Sequence, residues 1–508
     1  MIKTNFTFID LFAGIGGFHR ALTSLGGSCL GFSEINKDAI TTYCKNTNES
    51  ADANFGDITK IKKLPSHDLL TAGVPCQSWS IAGRNLGFDD DRGQLWNDTI
   101  YLLNQSRPKS FIFENVKGLV DPRNKSALEY IMERIRDSGY HADYHVINSY
   151  DYGVMQNRVR IYIVGFLDQK YFRKFSIPPK VKKHLRLGDL LGIDAKENYQ
   201  RQIEKDLFGA PVASRQMSLS ASGGMNDYFL YNDIRNGDTT IHSWDILPTT
   251  DRQKAICLLL LRNRRKKVYG HLDGNPLSLG HLRALDNTIT QEDVEGLVTL
   301  EILTGEDYKF CVMQAQVPLT ETESEILSHA KEGIVVVDEL KADRNFKMKK
   351  IRLKETLMSL VQKDALKCIE TRYDFRNTKI STGLNGINRV FLPSSLIFPT
   401  LVASDTNDMV ATKDVRGRDI KEYRRNFIRE IHQKGKVRKI TKAEACLLQG
   451  FPADYVLPDS RARWMKLIGN SVSVPVIETL CNTIIATGVF EGRIQAASAI
   501  GGAVRMSS

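Results

Sequence analysis

The run FTFIDLFAGIGGFHRAL at residues 6–22 restricts the fold more than any other stretch of this chain. Its apolar half predicts a strand over Thr7–Phe12 and its second half a helix over His19–Leu25, with Gly14, Gly16 and Gly17 in the turn between them. Glycine lets a backbone turn tightly and approach a ligand closely. The alternation then repeats. Strands are expected at Ser28–Glu34, Asp68–Val74, Ser110–Glu114, His145–Asn148 and Arg160–Phe166, with helices at Asn97–Gln105 and Lys125–Ser138. This is the pattern of an α/β fold with a doubly wound sheet, whose ligands sit beyond the carboxyl ends of the strands.

Residues with chemistry fall at those ends. The glycine turn lacks the GxGxxG spacing of dinucleotide sites, and alone it says little. Glu34, closing the second strand, stands where an acid commonly grips ribose hydroxyls. Asp57, in FGDIT, offers a third polar group suited to an adenine amino group. A turn cluster and two solvated carboxylates are the bland alternative, but the three in this order favour a bound nucleoside. In DLLTAGVPCQSWSIAG, Cys76 follows Pro75 at the mouth of a loop. Proline fixes its own φ and holds the preceding residue extended, so this thiol is poised, although a lone cysteine is ordinarily a small core residue. Glu114 follows four apolar residues, and partial burial there raises a carboxyl pKa. Arg158 and Arg160 are expected on one face of a strand, as forks for a carbonyl or phosphate; salt bridging is the alternative. Asn470 and Ser471, in GNSVSVPV, offer polar contacts on a turn.

The net charge of +11 favours a polyanionic partner. Eight cysteines form no CxxC pair and no Cys/His set at zinc spacing, so no disulfide framework, no structural metal and a reducing compartment are expected. No signal peptide opens the chain, and no apolar run approaches the roughly 18 residues of a membrane span.

Beyond Phe166 the character changes. Residues 170–430 are loop-rich and charged, and inside them DRQKAICLLLLRNRRKK, LSLGHLRALD and QEDVEGLVTLEIL predict a helical section near 245–370. The last two read equally as a helix-turn-helix or a plain αα-hairpin. Basic runs at Arg262–Lys267 and Arg344–Lys354 are candidates for phosphate contacts, with solvated faces the default. From Arg438 regularity returns, with Thr441 and Glu444 as a capping box. A last helix is expected from Val474 to Ala486, and a tail that frays.

Taken together, FAGIGG, GVPCQ, ENV, QNRVR, QGFP and GNSV resemble, in this order, the DNA cytosine-5 methyltransferase family. The resemblance frames residues 6–168 and 438–487. It implies a Rossmann-like methyltransferase sheet with a large inserted target-recognition domain: 1–168 catalytic, 169–437 target recognition, 438–487 a return to the catalytic domain, and 488–508 a flexible tail.

The same resemblance implies S-adenosyl-L-methionine as cofactor, held by Phe12, Gly14, Ile15, Gly16, Gly17, Glu34, Ile35, Asp57, Ile58, Pro75, Leu95, Asn470 and Ser471. Cys76 is then the nucleophile on a flipped cytosine, with Glu114, Arg160 and Arg158 as catalytic partners and Gln77, Ser80 and Val116 as substrate contacts. The loop from Cys76 to Gln94 resembles one that closes over DNA. Ile35 departs from the pattern, standing where many members carry an aromatic on the adenine.

Double-stranded DNA is the implied partner, with a cognate restriction endonuclease alongside. A free-standing cytoplasmic prokaryotic or phage enzyme acting as a monomer is expected. FLYNDIRNGDTTIHSWD and RNRRKKVYGHLDGNPLS are similar to recognition regions for GGNCC-like sites. Alternatives are a tRNA-acting member, whose variable region is short, a silent DNA-binding module, which would lose Cys76 or Glu114, and a nicotinamide dehydrogenase, which needs GxGxxG.

Overall fold

A computed structural model of the chain describes residues 5–75, 91–181, 185–193, 228–314, 317–343, 346 and 352–491. Its centre is a six-stranded sheet of order β2-β1-β3-β4-β7-β5. The strands are β1 (Phe6–Leu11), β2 (Gly27–Ser33), β3 (Leu69–Gly73), β4 (Ser110–Val116), β5 (His141–Asn148) and β7 (Val159–Phe166), while a two-residue β6 (Gln156–Asn157) pairs outside the sheet with β15 (Phe398–Pro399). The first four in spatial order are parallel, and β7 runs antiparallel to both its neighbours. Helices α1 (Gly17–Ser24), α2 (Lys37–Thr47), α3 (Asp91–Ser106) and α4 (Lys125–Asp137) connect them. The expected doubly wound α/β sheet is present, its strands within a few residues of the expected bounds.

Successive strand residues point to opposite faces, and here both faces are apolar. Phe6, Phe8, Ile112, Tyr162 and Val164 enter one core, while Ile9, Leu11, Phe111, Phe113, Ile161 and Ile163 enter the other. Helices α3 and α4 cover the second face with Trp96, Ile100, Leu103, Leu128, Ile131 and Ile135. The first face is covered by α1 and by the far end of the chain, through Leu448, Trp464, Ile477, Leu480 and Ile484. Each large side chain so buried contributes about 1.5–3 kcal/mol. The packed segment continues past the expected limit of 487: Phe490 stacks on Phe6 at 4.7 Å. The rest of the expected tail, from 492, lies outside the described residues.

Thr441 and Glu444 form the expected capping box on the helix Lys442–Gln449. Arg158 differs from expectation. It lies between β6 and β7, in neither strand, so it and Arg160 do not share a strand face.

The section expected to be helical contains helices Asp251–Asn263, Leu279–Leu285 and Gln291–Thr299, and also a four-stranded antiparallel sheet. Its strands are β10 (Leu277–Ser278), β11 (Leu303–Val312), β12 (Ile334–Val336) and β13 (Leu366–Phe375), in the order β10-β13-β11-β12. The insert is therefore an α+β unit. A second sheet flanks it, built from β8 (Tyr228–Tyr231), β9 (Thr240–Ile241), β14 (Arg389–Phe391), β16 (Asp408–Ala411) and β17 (Val437–Arg438). Within the basic run Arg262–Lys267, Arg264 is buried in a two-pronged pair with Asp374, at 3.0 and 2.6 Å, and so is spent internally.

Candidate active site

The turn after β1 is built for close approach. Gly16 has φ +89°, and a Cβ on Gly17 would meet Val472 Cγ2 at 2.6 Å. The glycines therefore let FAGIGG and GNSV lie against each other. Glu34, just past β2, accepts from the Gly14 amide at 2.9 Å through one oxygen and from the Ile35 and Asn36 amides, both at 2.8 Å, through the other. Its backbone is clamped by Asn54, which accepts from the Glu34 amide and donates to the Glu34 carbonyl, each at 3.0 Å. Asn54 escaped the sequence reading; its only signal is its place two residues before the glycine of FGDIT.

Asp57 caps the short turn Ile58–Lys60, accepting from the Thr59 amide at 3.1 Å, and Ile58 is buried. Ile35 is 71% exposed. Phe12 has φ +52° and packs, with Leu95, on the core under α3. Asn470 ends the helix Arg461–Asn470 and is exposed. Ser471 is buried, its hydroxyl donating to the Val472 carbonyl at 3.2 Å.

The second half of the site lies at the ends of β3 and β4. In register, Gly73 of β3 faces Glu114 of β4, and Val116 faces Arg160 of β7. Glu114 is 8% exposed and meets Arg160 Nε at 3.1 Å. Burial pushes its carboxyl pKa up, and the charges of Arg160 and Arg158 offset this only in part. The next residue, Asn115, is buried and donates to the Val74 carbonyl at 3.2 Å, which fixes the chain one residue before Pro75. Cys76, Gln77 and Ser80 lie outside the described residues, as does the loop through 90.

Arg158 has a different job from the one expected. It is 2% exposed, and its guanidinium donates to the carbonyls of Leu401 (3.1 Å), Gly469 (3.0 Å) and Ser471 (2.6 Å). Gln156 donates to the Leu448 carbonyl and to Gln449 Oε1, both at 2.8 Å, and Gln449 donates to the Ser471 carbonyl at 2.7 Å. These three side chains lock QNRVR, QGFP and GNSV into one buried polar network. Sequence reasoning saw the blocks and missed the lock.

Over residues 6–486 the chain matches the C-5 cytosine-specific DNA methylase family. It belongs to that family. It is 39% identical over 490 residues to the type II methyltransferase M.HgiBI of Herpetosiphon aurantiacus, covering 96% of this chain and 98% of that one. The type II methylase M.HgiEI of the same organism is 40% identical over the same shares. The type II methyltransferase M.BanI of Aneurinibacillus aneurinilyticus is 28% identical across 95% of this chain and 96% of its own.

The chain is thus a DNA cytosine-5 methyltransferase, and the family implies S-adenosyl-L-methionine as methyl donor. The residues of this methylase fit that group. Gly14 would place a Cβ in near-open space, 4.0 Å from its nearest neighbour, so the turn beside Glu34 leaves room for a ligand. The exposed Ile35 offers an apolar platform next to it. Among the described residues no helix is long and apolar enough to cross a membrane, and the cysteines are free thiols.

Proposed function

We propose that this methylase modifies carbon 5 of a flipped cytosine in a specific double-stranded DNA site, through a covalent adduct on Cys76. The observation that carries this reading is Glu114: a buried carboxyl beside Arg160, one strand from the chain that leads through Val74 and Pro75 to Cys76. Enzymes that act on a base take it out of the stack. The Cys76 thiolate adds to ring carbon 6, and the electron pair displaced toward carbon 5 makes that atom nucleophilic. Glu114, whose pKa burial raises, hydrogen-bonds ring nitrogen 3 and stabilises the charge that gathers there. Arg160 binds the carbonyl oxygen at position 2, Val116 lines the base, and Gln77 and Ser80 contact the substrate. When bound, S-adenosyl-L-methionine would supply the electrophilic methyl group; Glu34 would hold its ribose, Asp57 its adenine amino group, and Phe12 to Gly17, Ile58, Pro75, Leu95, Asn470 and Ser471 would enclose it. The carbon 5 proton then passes to solvent water, its bonding pair re-forms the ring double bond, and the carbon 6–sulfur bond breaks to restore the Cys76 thiolate. Arg158 serves as a positioning residue.

Residues 169–437 read the site, GGNCC-like by similarity of two segments. The relatives' type II names support the role of modification enzyme beside a cognate endonuclease, in the cytoplasm of a prokaryote, and the net charge of +11 supports binding to DNA; the enzyme acts as a monomer in this reading.

The test uses a duplex carrying 5-fluorocytosine, whose fluorine cannot leave as a proton does. The wild-type protein should form a denaturation-stable adduct with that duplex in the presence of cofactor, and Cys76→Ser should form none. Methyl transfer to tRNA and not to duplex DNA would refute the reading.

A further inference from the structure

Among the described residues, one group of side chains gathers three metal-type donors: His19, Cys29 and Glu49, with ligand atoms all within 4.8 Å of one another. They come from α1, β2 and the loop after α2, so no sequence spacing announces them. The His19 ring is 5% exposed and is set edge-on to Phe8 at 5.6 Å and to Tyr43 at 5.4 Å. Held so, it places Nε2 3.2 Å from Glu49 Oε1. Cys29 Sγ lies 3.4 Å from the Gly31 carbonyl and 3.7 Å from the Tyr43 hydroxyl. All three residues line one cavity of about 480 Å³, together with Arg20, Asn46 and Tyr455.

We propose that His19, Cys29 and Glu49 form a tetrahedral site for a zinc-class divalent cation, with the fourth position open to this cavity. The donor set selects the ion. Imidazole nitrogen, thiolate sulfur and carboxylate oxygen together are a zinc set, whereas magnesium and calcium take oxygen ligands. With zinc–ligand bonds of about 2.0–2.3 Å, neighbouring donors stand roughly 3.2–3.7 Å apart. Nε2 and Oε1 already have that spacing, and the sulfur needs a shift of at most roughly 1.5 Å to join them. On binding, the Cys29 S–H proton goes to solvent and the thiolate and carboxylate charges balance the cation.

The site would brace the glycine turn. Tyr43, against which His19 rests, also packs under Gly16, where a Cβ would stand 3.2 Å from its ring. Tyr455, across the cavity, donates to the Ile15 carbonyl.

The experiment uses the full chain carrying Cys76→Ser, so that no thiolate signal can come from Cys76. After stripping with a chelator it is titrated with cobalt(II) as optical stand-in, then with zinc against a chromophoric chelator. One cobalt per chain is expected, with the intense visible absorption of a tetrahedral ion and a thiolate-to-cobalt charge-transfer band, both displaced by zinc. Adding Cys29→Ser should remove the charge-transfer band. Glu49→Gln, at a side chain 27% exposed, should weaken cobalt at least about tenfold, as even outer-shell changes do. No binding, a spectrum without the thiolate band, a band that survives Cys29→Ser, or unchanged affinity in Glu49→Gln would each overturn the assignment.

Discussion

Arg158 Nη2 donates to the Ser471 carbonyl at 2.6 Å, joining residues 313 apart in the chain. The bond sews the start of β7 to the turn that lies against the glycine turn. A guanidinium in that position binds the protein to itself, and its consequences are for stability before chemistry.

Arg158→Ala should therefore cost about 2–5 kcal/mol, since the buried carbonyls of Leu401 and Gly469 lose this donor while Ser471 keeps Gln449, and each unmet group costs about 1–3 kcal/mol. Urea unfolding measures it. A cost below about 1 kcal/mol would mean that the network can re-pair without Arg158.

Asn115→Ala releases the Val74 carbonyl and leaves Glu114 and Arg160 in place. It should lower kcat while cofactor affinity, measured by calorimetry, stays within about twofold, because Pro75 is the one enclosing residue next to the change and the glycine turn and Glu34 are undisturbed. Equal losses in kcat and cofactor affinity would contradict a role confined to the Cys76 loop.

Glu114→Gln should keep the fold and lower kcat about 10²–10⁴-fold, the usual contribution of a positioned acid. Because burial raises the Glu114 pKa, the wild-type enzyme should lose activity as pH rises through that raised value, when the proton is given up. The residual activity of Glu114→Gln should lack that alkaline decline.

Asp10 is wholly buried in β1, accepts from Thr71 Oγ1 at 3.1 Å, and has its pKa pushed up to about 8 by burial. The sign follows from linkage. Between the ordinary value of 3.8 and about 8, the unfolded chain gives up this proton and the folded one keeps it, so Asp10 makes the protein less stable as pH rises through that window. Asp10→Asn carries no such proton. Relative to wild type it should gain at most about 1.4 kcal/mol per pH unit across the window, read from unfolding curves at stepped pH. A constant difference would show that Asp10 is ionised in the fold.

Ile35 is open to solvent beside Glu34, and an aromatic there would have a ligand face to stack on. Ile35→Trp should tighten cofactor binding about two- to tenfold, the equivalent of about 0.5–1.5 kcal/mol of aromatic stacking. Weaker binding would place the adenine elsewhere.

The sheet and its glycine turn were legible because their signals are local: apolar runs, turn glycines and the Thr441–Glu444 cap all lie within a few residues. The insert was read as helical because β11 and β13 carry many charges. Lys309 and Glu370 pair across them at 3.2 Å, and within β13 Arg372 meets Glu370 at 2.5 Å, so a run such as LTGEDYKFCV hides a strand whose Lys309 is neutralised by its neighbour. Arg158 was misread for a related reason. Two arginines two apart look alike, yet the partners of Arg158 lie 243 to 313 residues away, and Arg160 meets Glu114 on the adjacent strand. Pattern reports which residues are unusual; long-range packing decides which become chemical and which structural.

The covering of the sheet's first face by Trp464, Ile477, Leu480 and Ile484 also has a meaning for the growing polypeptide. While the ribosome is still making residues 169–437, β1 and β4 show Phe8 and Ile112 to water with no lid but α1. A nascent chain at that stage holds the glycine turn but not Ser471 or Val472 against it. The methylase thus cannot complete its own core before residues 169–437, proposed above to choose its DNA, have been synthesised, and truncated products should be sticky and inactive rather than indiscriminate.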